Sequence, residues 1–197
     1  MQVRLEGVCA RRGRFSLRCT GTFGEGVHLC TGRVGSGKST LALLLAGLLT
    51  PVAGTIRKEG IGSHSLSLQN PEYHVTEPTV GREIASYGVD PADVARSCGL
   101  SERMEADPFA LSRGELKRLH LACLMAGTYD LLVLDEPFSS LDCIRKRWLC
   151  RELLNRRSGV TIIFTHERRF LPHADYLWEV ADGEVSCIGT DETGRTR

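Results

Sequence analysis

The stretch Gly32-Arg33-Val34-Gly35-Ser36-Gly37-Lys38-Ser39 constrains this chain more than any other. It fits the pattern G-x-x-x-x-G-K-[ST], with an additional glycine at Gly35. Glycines at these positions let successive backbone N–H groups turn inward and form a nest for an anion. A helix beginning near Lys38 aims the positive end of its dipole at the same point. Lys38 is then in reach of β- and γ-phosphates, and the Ser39 hydroxyl is placed to ligate Mg²⁺. The flanks agree with this reading, because residues 27–31 (Val-His-Leu-Cys-Thr) form a short apolar run and residues 41–49 are almost wholly apolar. Strand, glycine loop and helix is the order a phosphate-binding loop needs, so the stretch implies a nucleoside triphosphate site. Gly32, Arg33, Val34, Gly35, Ser36, Gly37, Lys38, Ser39 and Thr40 are its candidate contacts.

A chain of 197 residues has room for one such domain with a small inserted lobe. Its net charge of +1 gives no basic field that would make nucleic acid an obligatory partner. The run at 41–49 falls far short of the roughly 20 apolar residues needed to cross a bilayer, and the first residues lack the apolar stretch of a signal peptide. The expectation is a cytosolic chain that touches a membrane only through a partner. Eight cysteines are many for this length, yet no C-x-x-C pair occurs. They read as reduced, buried thiols acting as small hydrophobes rather than as a metal or disulfide framework.

Before the loop, residues 3–9 and 15–20 read as strands joined by a basic turn at 10–14. After it, Pro51 and Gly54 are expected to close the helix, and 54–57 to form another strand. A further apolar strand at 65–68 runs into Gln69-Asn70-Pro71, with the proline stopping it and leaving Gln69 at its carboxyl end. From about residue 77 the pattern becomes helical, with segments at 80–87 and 91–99 stopped by Gly88 and Gly99. A long helix then opens at Leu111-Ser112-Arg113-Gly114-Glu115, where Ser112 and Glu115 have capping-box spacing. Leu131-Leu132-Val133-Leu134 is a buried strand ending in Asp135-Glu136-Pro137. A helix over 143–156, a strand over 160–164 ending at Thr165-His166, and a hairpin around Ala181-Asp182-Gly183 complete the chain.

Four apolar runs therefore end in polar residues: Thr31, Gln69, Asp135-Glu136 and His166. In a mostly parallel sheet those ends converge on one edge, where open α/β sheets bind ligands. Asp135 is placed to hold Mg²⁺ opposite Ser39, and Glu136 to polarise the water that attacks the γ-phosphate. His166 is placed to contact that phosphate or to hold Glu136 in line. The other histidines (28, 64, 74, 120 and 173) read as core or surface residues.

These residues carry a resemblance. From about residue 3 to 189 the chain resembles the ATP-binding subunit of an ATP-binding cassette (ABC) transporter. Residues 32–39 match its Walker A loop, Gln69 its Q-loop and residues 111–115 its LSGGQ signature. Residues 131–136 match Walker B, Ser139-Ser140-Leu141-Asp142 the D-loop, and His166 the switch histidine. The resemblance implies an α/β P-loop fold with a mixed, mostly parallel sheet, an N-terminal antiparallel region and an inserted helical lobe over about 77–128. It implies hydrolysis of ATP with Mg²⁺, with Glu136, His166, Lys38 and Gln69 as catalytic residues and Ser39, Gln69 and Asp135 around the metal. Two such ATPase chains pair head to tail, so Ser112, Gly114 and Asp142 are expected to meet the nucleotide held by a second copy or a related chain. A transmembrane transporter subunit is the implied partner, with the chain on the inner face of the membrane.

Two departures stand out: Arg113 replaces the first glycine of the signature and Glu115 its glutamine. Where the family offers an aromatic ring to adenine, alignment gives Arg11 or Arg12, with Phe15 as the less favoured substitute. Gln69-Asn70-Pro71-Glu72 is also similar to the Q-loop of energy-coupling-factor ATPases, which drive uptake of vitamins and of cobalt or nickel ions. A soluble ABC ATPase acting on DNA or the ribosome is the competing reading. Against it stand the neutral charge and too few residues between Gln69 and Ser112 for a long coiled coil. A subunit that binds ATP and regulates without hydrolysing it is the third.

Overall fold

The structure, a computed structural model, describes residues 1–156, 158–167 and 171–190. Strand β1 (Gln2–Arg12) is followed by β2 (Phe15–Phe23) and β3 (Gly26–Thr31), and the loop leads into helix α1 (Lys38–Ala46). Next come β4 (Ala53–Glu59) and β5 (His64–Ser67), then the helical stretch of α2 (Val80–Ser86), α3 (Pro91–Cys98) and α4 (Arg113–Ala126). The chain returns to the sheet with β6 (Leu131–Asp135), α5 (Cys143–Asn155), β7 (Val160–Thr165), β8 (Tyr176–Ala181) and β9 (Glu184–Thr190).

The nine strands among the described residues form one sheet in the order β4-β1-β2-β9-β8-β3-β7-β6-β5. The half running from β8 to β5 is parallel, whereas β1 pairs antiparallel with β2 and β4, and β8 with β9. β9 closes the gap by lying parallel to β2, with Cys19 opposite Val185. This is the mixed, mostly parallel α/β sheet with an antiparallel N-terminal region that the sequence implies.

The uninterrupted apolar runs of β6 and β7 follow from burial on both faces. Leu131 and Val133 of β6, with Val160, Ile162 and Phe164 of β7, pack into the core that contains Leu41, Leu44 and Leu45 of α1. Their neighbours Leu132, Leu134 and Ile163 face the opposite way, against Leu121 and Leu124 of α4 and Leu149 and Leu153 of α5. Each such buried side chain is worth about 1.5–3 kcal/mol. Period two then carries Asp135 onto the α1 face, beside Ser39. A separate core of Val80, Ile84, Val94, Leu100, Leu111, Leu116 and Leu119 unites α2, α3 and α4, so α4 spans both bodies of packing.

Several boundaries differ from expectation. β1 runs through Arg12, and only Gly13-Arg14 turn back, because Arg11 and Arg12 pair in register with Ser16 and Phe15. α1 ends at Gly47, whose φ of 81° and N–H bonds to Leu43 and Leu44 carbonyls terminate it before Pro51 and Gly54 are reached. β5 ends at Ser67, and Pro71 opens a 3₁₀ turn over Pro71–His74, so Gln69 lies just beyond the strand rather than in its last position. All eight cysteines are free, but Cys143 and Cys187 are exposed, contrary to the expectation of burial.

Candidate functional site

The glycine loop is shaped by contacts that only glycine tolerates. Gly35 and Gly37 have φ of 84° and 112°, in the left-handed region. A Cβ at Gly32 would lie 2.2 Å from the Val180 carbonyl oxygen and 2.7 Å from Ser36 Oγ, so the end of β8 roofs the start of the loop. At Gly37 a Cβ would strike the Phe15 ring at 2.7 Å. α1 starts with no side-chain cap and no acidic residue in its first turn, which leaves its first N–H groups and positive dipole end directed at the loop. Lys38 is buried, and its ammonium donates to the Gly32 and Arg33 carbonyls at 2.7 and 2.9 Å. The result is a cationic anion cradle.

Beneath the cradle, Val34, Gly35, Gly37, Lys38, Ser39 and Thr40 line a cavity of about 230 Å³ together with Phe15, Gln69, Glu136 and His166. Three of the four converging strand ends thus meet in one space. A neighbouring cavity of about 730 Å³ lies on the other side of the loop, between Arg14-Phe15-Ser16, Gly32 to Ser36 and Glu179 to Asp182. Phe15 borders both cavities, whereas Arg11 and Arg12 border neither. The β1–β2 hairpin turns later than its sequence suggests, which places both arginines within β1, opposite Ser16 and Phe15. A larger cavity of about 880 Å³ sits at the amino ends of β3 and β7, away from this chemistry.

Glu136 follows β6 with φ of 51°, a left-handed conformation that costs a non-glycine residue about 1–3 kcal/mol. It is held there by its N–H bond to the Phe164 carbonyl and by Ser139, which donates from both N–H and Oγ to the Glu136 carbonyl. The reward is direction: the carboxylate enters the cavity and meets His166. His166 Nδ1 donates to Glu136 Oε1 at 2.7 Å, and Thr165 Oγ1 donates to Oε2 at 3.2 Å. A carboxylate only accepts, so the proton between them is assigned to His166 Nδ1. Thr165 is a contact of Glu136 that spacing alone misses; the signal is a hydroxyl one residue before the histidine, at the end of an apolar strand.

Asp135 is buried behind Ser39, and burial followed by the Glu136 charge raises its pKa, while the Ser39 hydroxyl, Lys38 and Lys117 oppose that rise. Among the described residues, neither its Oδ1 nor Ser36 Oγ has a hydrogen-bond partner. Buried orphan oxygens are rare and costly, and a hard cation beside a hydroxyl and a carboxylate would satisfy Asp135 with oxygen donors of the kind Mg²⁺ takes. Ser39, Asp135 and the nearby Gln69 therefore fit that ion.

Ser112, Gly114 and Asp142 stand apart from this cavity. Ser112 caps α4: its Oγ accepts from the Glu115 N–H at 3.3 Å, and Glu115 accepts from the Ser112 N–H at 2.9 Å and hydroxyl at 2.7 Å. The spacing S-x-x-E is thus a working capping box, and Glu115 contributes the reciprocal half of it. Gly114 has no crowding atom nearer than the Ser140 carbonyl oxygen at 3.9 Å from its hypothetical Cβ. Asp142 caps α5 by accepting from the Arg145 N–H. Within one chain, the loop and the Ser112 region do not form a single site.

Three other histidines, His28, His74 and His120, are structural. His28 is fully buried, accepts from Trp178 Nε1 at 3.0 Å and donates to the Gly24 carbonyl at 2.8 Å, and burial lowers its pKa to about 4. His74 and His120 stack at 4.0 Å beneath the Gln69 segment.

Comparison with known proteins gives a consistent picture. A family profile described as "ABC transporter" matches residues 21–139. A Pyrococcus horikoshii protein provisionally named an ABC transporter ATP-binding protein is 34% identical over 86% of this chain and 75% of its own length. An energy-coupling factor transporter ATP-binding protein of Halalkalibacterium halodurans is 32% identical over 82% of this chain and 68% of its own. Among solved structures, an ATP-binding subunit of an ABC transporter superposes with a TM-score of 0.80 at 19% identity, covering 98% of this chain and 91% of that one.

Proposed function

This chain belongs to the ABC transporter family of ATPases, and we propose that it hydrolyses ATP at the Glu136–His166 cavity to power a transmembrane partner. The observation that carries this reading is the 2.7 Å bond from His166 Nδ1 to Glu136 Oε1, in the wall that also holds Lys38, Ser39 and Gln69. Only a carboxylate fixed opposite a phosphate cradle is placed to take a proton from water attacking in line.

In the mechanism, the loop amides and the α1 terminus receive the phosphates, and Lys38 exchanges its bonds to Gly32 and Arg33 for β- and γ-phosphate oxygens. Phe15 offers its ring to the base. Ser39 and Asp135 would hold Mg²⁺, which would supply neutralisation of phosphate charge. Glu136 accepts a proton from the attacking water, while Thr165 and His166 hold its two oxygens and set its direction. His166 Nε2 is free to face the γ-phosphate. Most of the rate enhancement comes from preorganised charge around the transferring group, which the rigid loop provides.

One wall of this site is absent from the single chain. Ser112, Gly114 and Asp142 lie elsewhere, which supports a head-to-tail pair in which each chain's α4 N-terminus closes the other's nucleotide. Gln69 and the lobe over 77–128 carry the closing movement to the membrane partner. Among the described residues no helix is long and apolar enough to cross a membrane, which supports attachment to the inner face through that partner. The Gln69-Asn70-Pro71-Glu72 segment and the relative named for energy-coupling factors support an uptake system for a vitamin or metal ion.

Phosphate release by the purified chain tests the reading. Glu136→Gln should lower kcat by about a hundredfold or more, as expected for loss of a general base, while ATP affinity stays and ATP-bound dimer accumulates on size exclusion. Wild-type turnover in the Glu136→Gln protein would remove Glu136 from the role of base.

A further inference from the structure

Arg113 and Lys117 are left unexplained by the site as described, and both point at the same segment. Arg113 donates to Asn70 Oδ1 at 2.6 Å and lies 3.9 Å from the Glu72 carboxylate. One turn further, Lys117 is fully buried and donates to the Leu68 and Gln69 carbonyls at 3.4 and 3.3 Å. Another turn on, His120 Nε2 meets Ser67 Oγ at 3.1 Å, while its ring stacks on His74, which accepts the Leu68 N–H at 2.8 Å. Residues 113, 117 and 120 lie on one face of α4, and they meet residues 67–72 in reverse order.

We propose that this polar stripe fixes Gln69 to α4, so that Arg113 and Lys117 act as positioning residues that make Gln69 and the N-terminus of α4 move as one unit. The inference rests on the ATPase reading for its catalytic consequence, but the clamp itself is independent of it. Arg113, one of the two residues that depart from the LSGGQ pattern, is then the one that reaches its own chain's Q-loop. A glycine at 113 has no side chain to do so. Burying a lysine is costly unless its charge does something useful. Here the ammonium holds two carbonyls that precede and include Gln69, the residue facing Lys38, Ser39 and Glu136 across the cavity.

Amide hydrogen exchange and steady-state kinetics together test this. In Arg113→Gly and in Asn70→Ala, exchange over residues 68–74 should rise about fivefold, the equivalent of one net hydrogen bond, with α2 and α3 unchanged. Combining the two should add nothing. Lys117→Met removes the charge at similar length. It should keep or raise thermal stability, yet raise exchange over 68–74 and lower kcat about tenfold with the KM for ATP unchanged. Arg113→Lys should restore part of the effect, since it reaches Asn70 without the fork that also faces Glu72. Unchanged exchange over 68–74 in both Arg113→Gly and Lys117→Met would overturn the clamp. Raised exchange with unchanged kcat would refute the positioning role. Absence of turnover in the wild type would refute the ATPase reading alone, with the exchange data still deciding the clamp.

Discussion

Replacing His28 with glutamine should flatten the acid side of this protein's stability curve. The His28 ring is fully buried, stacked at 4.3 Å on Tyr176 and 5.1 Å from Phe23, with both nitrogens engaged by Gly24 and Trp178. Burial holds its pKa at about 4 against an ordinary 6.5; the Gly24 carbonyl and Asp175 oppose this only in part. Below pH 6.5 the unfolded chain takes up a proton that the folded chain refuses, so stability is lost as pH falls toward 4. The whole interval corresponds to about 3 kcal/mol, of which about 2 kcal/mol is lost between pH 7 and pH 4.5. Urea unfolding followed by tryptophan fluorescence reports it directly, because Trp178 donates to His28. The wild type should lose about 2 kcal/mol more than His28→Gln over that range, since glutamine accepts from Trp178 without titrating. Equal losses in the two proteins would show that His28 is already protonated in the fold or unaffected by its burial. His74, also held at about 4 by burial and by Lys117, adds a parallel loss in both proteins and cancels in the comparison.

Three further expectations follow from the site. Gly32→Ala should weaken ATP binding at least tenfold in a fluorescent-nucleotide titration, because its Cβ collides with the Val180 carbonyl and overpacking of this kind costs about 1–3 kcal/mol. Phe15→Ala should raise the nucleotide Kd by roughly tenfold or more, on the scale of base–aromatic stacking, whereas Arg11→Ala and Arg12→Ala should leave it unchanged. Ser112→Ala removes the capping box and should cost about 1 kcal/mol in thermal unfolding of the nucleotide-free chain; it should also reduce ATP-dependent dimer formation on size exclusion.

The parts of this molecule that are legible in its sequence are those written contiguously. The loop, the strand into Asp135-Glu136 and the capping box at Ser112 each place their groups within a few residues, where backbone geometry alone fixes the outcome. The parts that are not legible depend on distant chain segments. Phe15 reaches the loop because β1 continues three residues past its expected end, which no local signal announces. Thr165 gains its meaning from Glu136 on the neighbouring strand. Lys117 and His120 interrupt the apolar stripe of α4 at Leu116, Leu119 and Cys123. Helical spacing marks them as polar residues near a core, but only the path of residues 67–74 shows what they hold.

The position of β9 has a consequence for the protein's birth. It lies between β2 and β8 in the sheet, although it follows both in the chain. Until residues 184–190 have left the ribosome, β2 and β8 have no strand between them, and the end of β8, whose Val180 carbonyl roofs Gly32, lacks the strand that joins it to β2 through Val185. A nascent chain can therefore display the whole glycine loop, with Lys38 and Ser39 in sequence, and still lack the frame that shapes it. Closure of the sheet around the loop therefore waits for the β8–β9 hairpin, and long-range closure of this kind is slow.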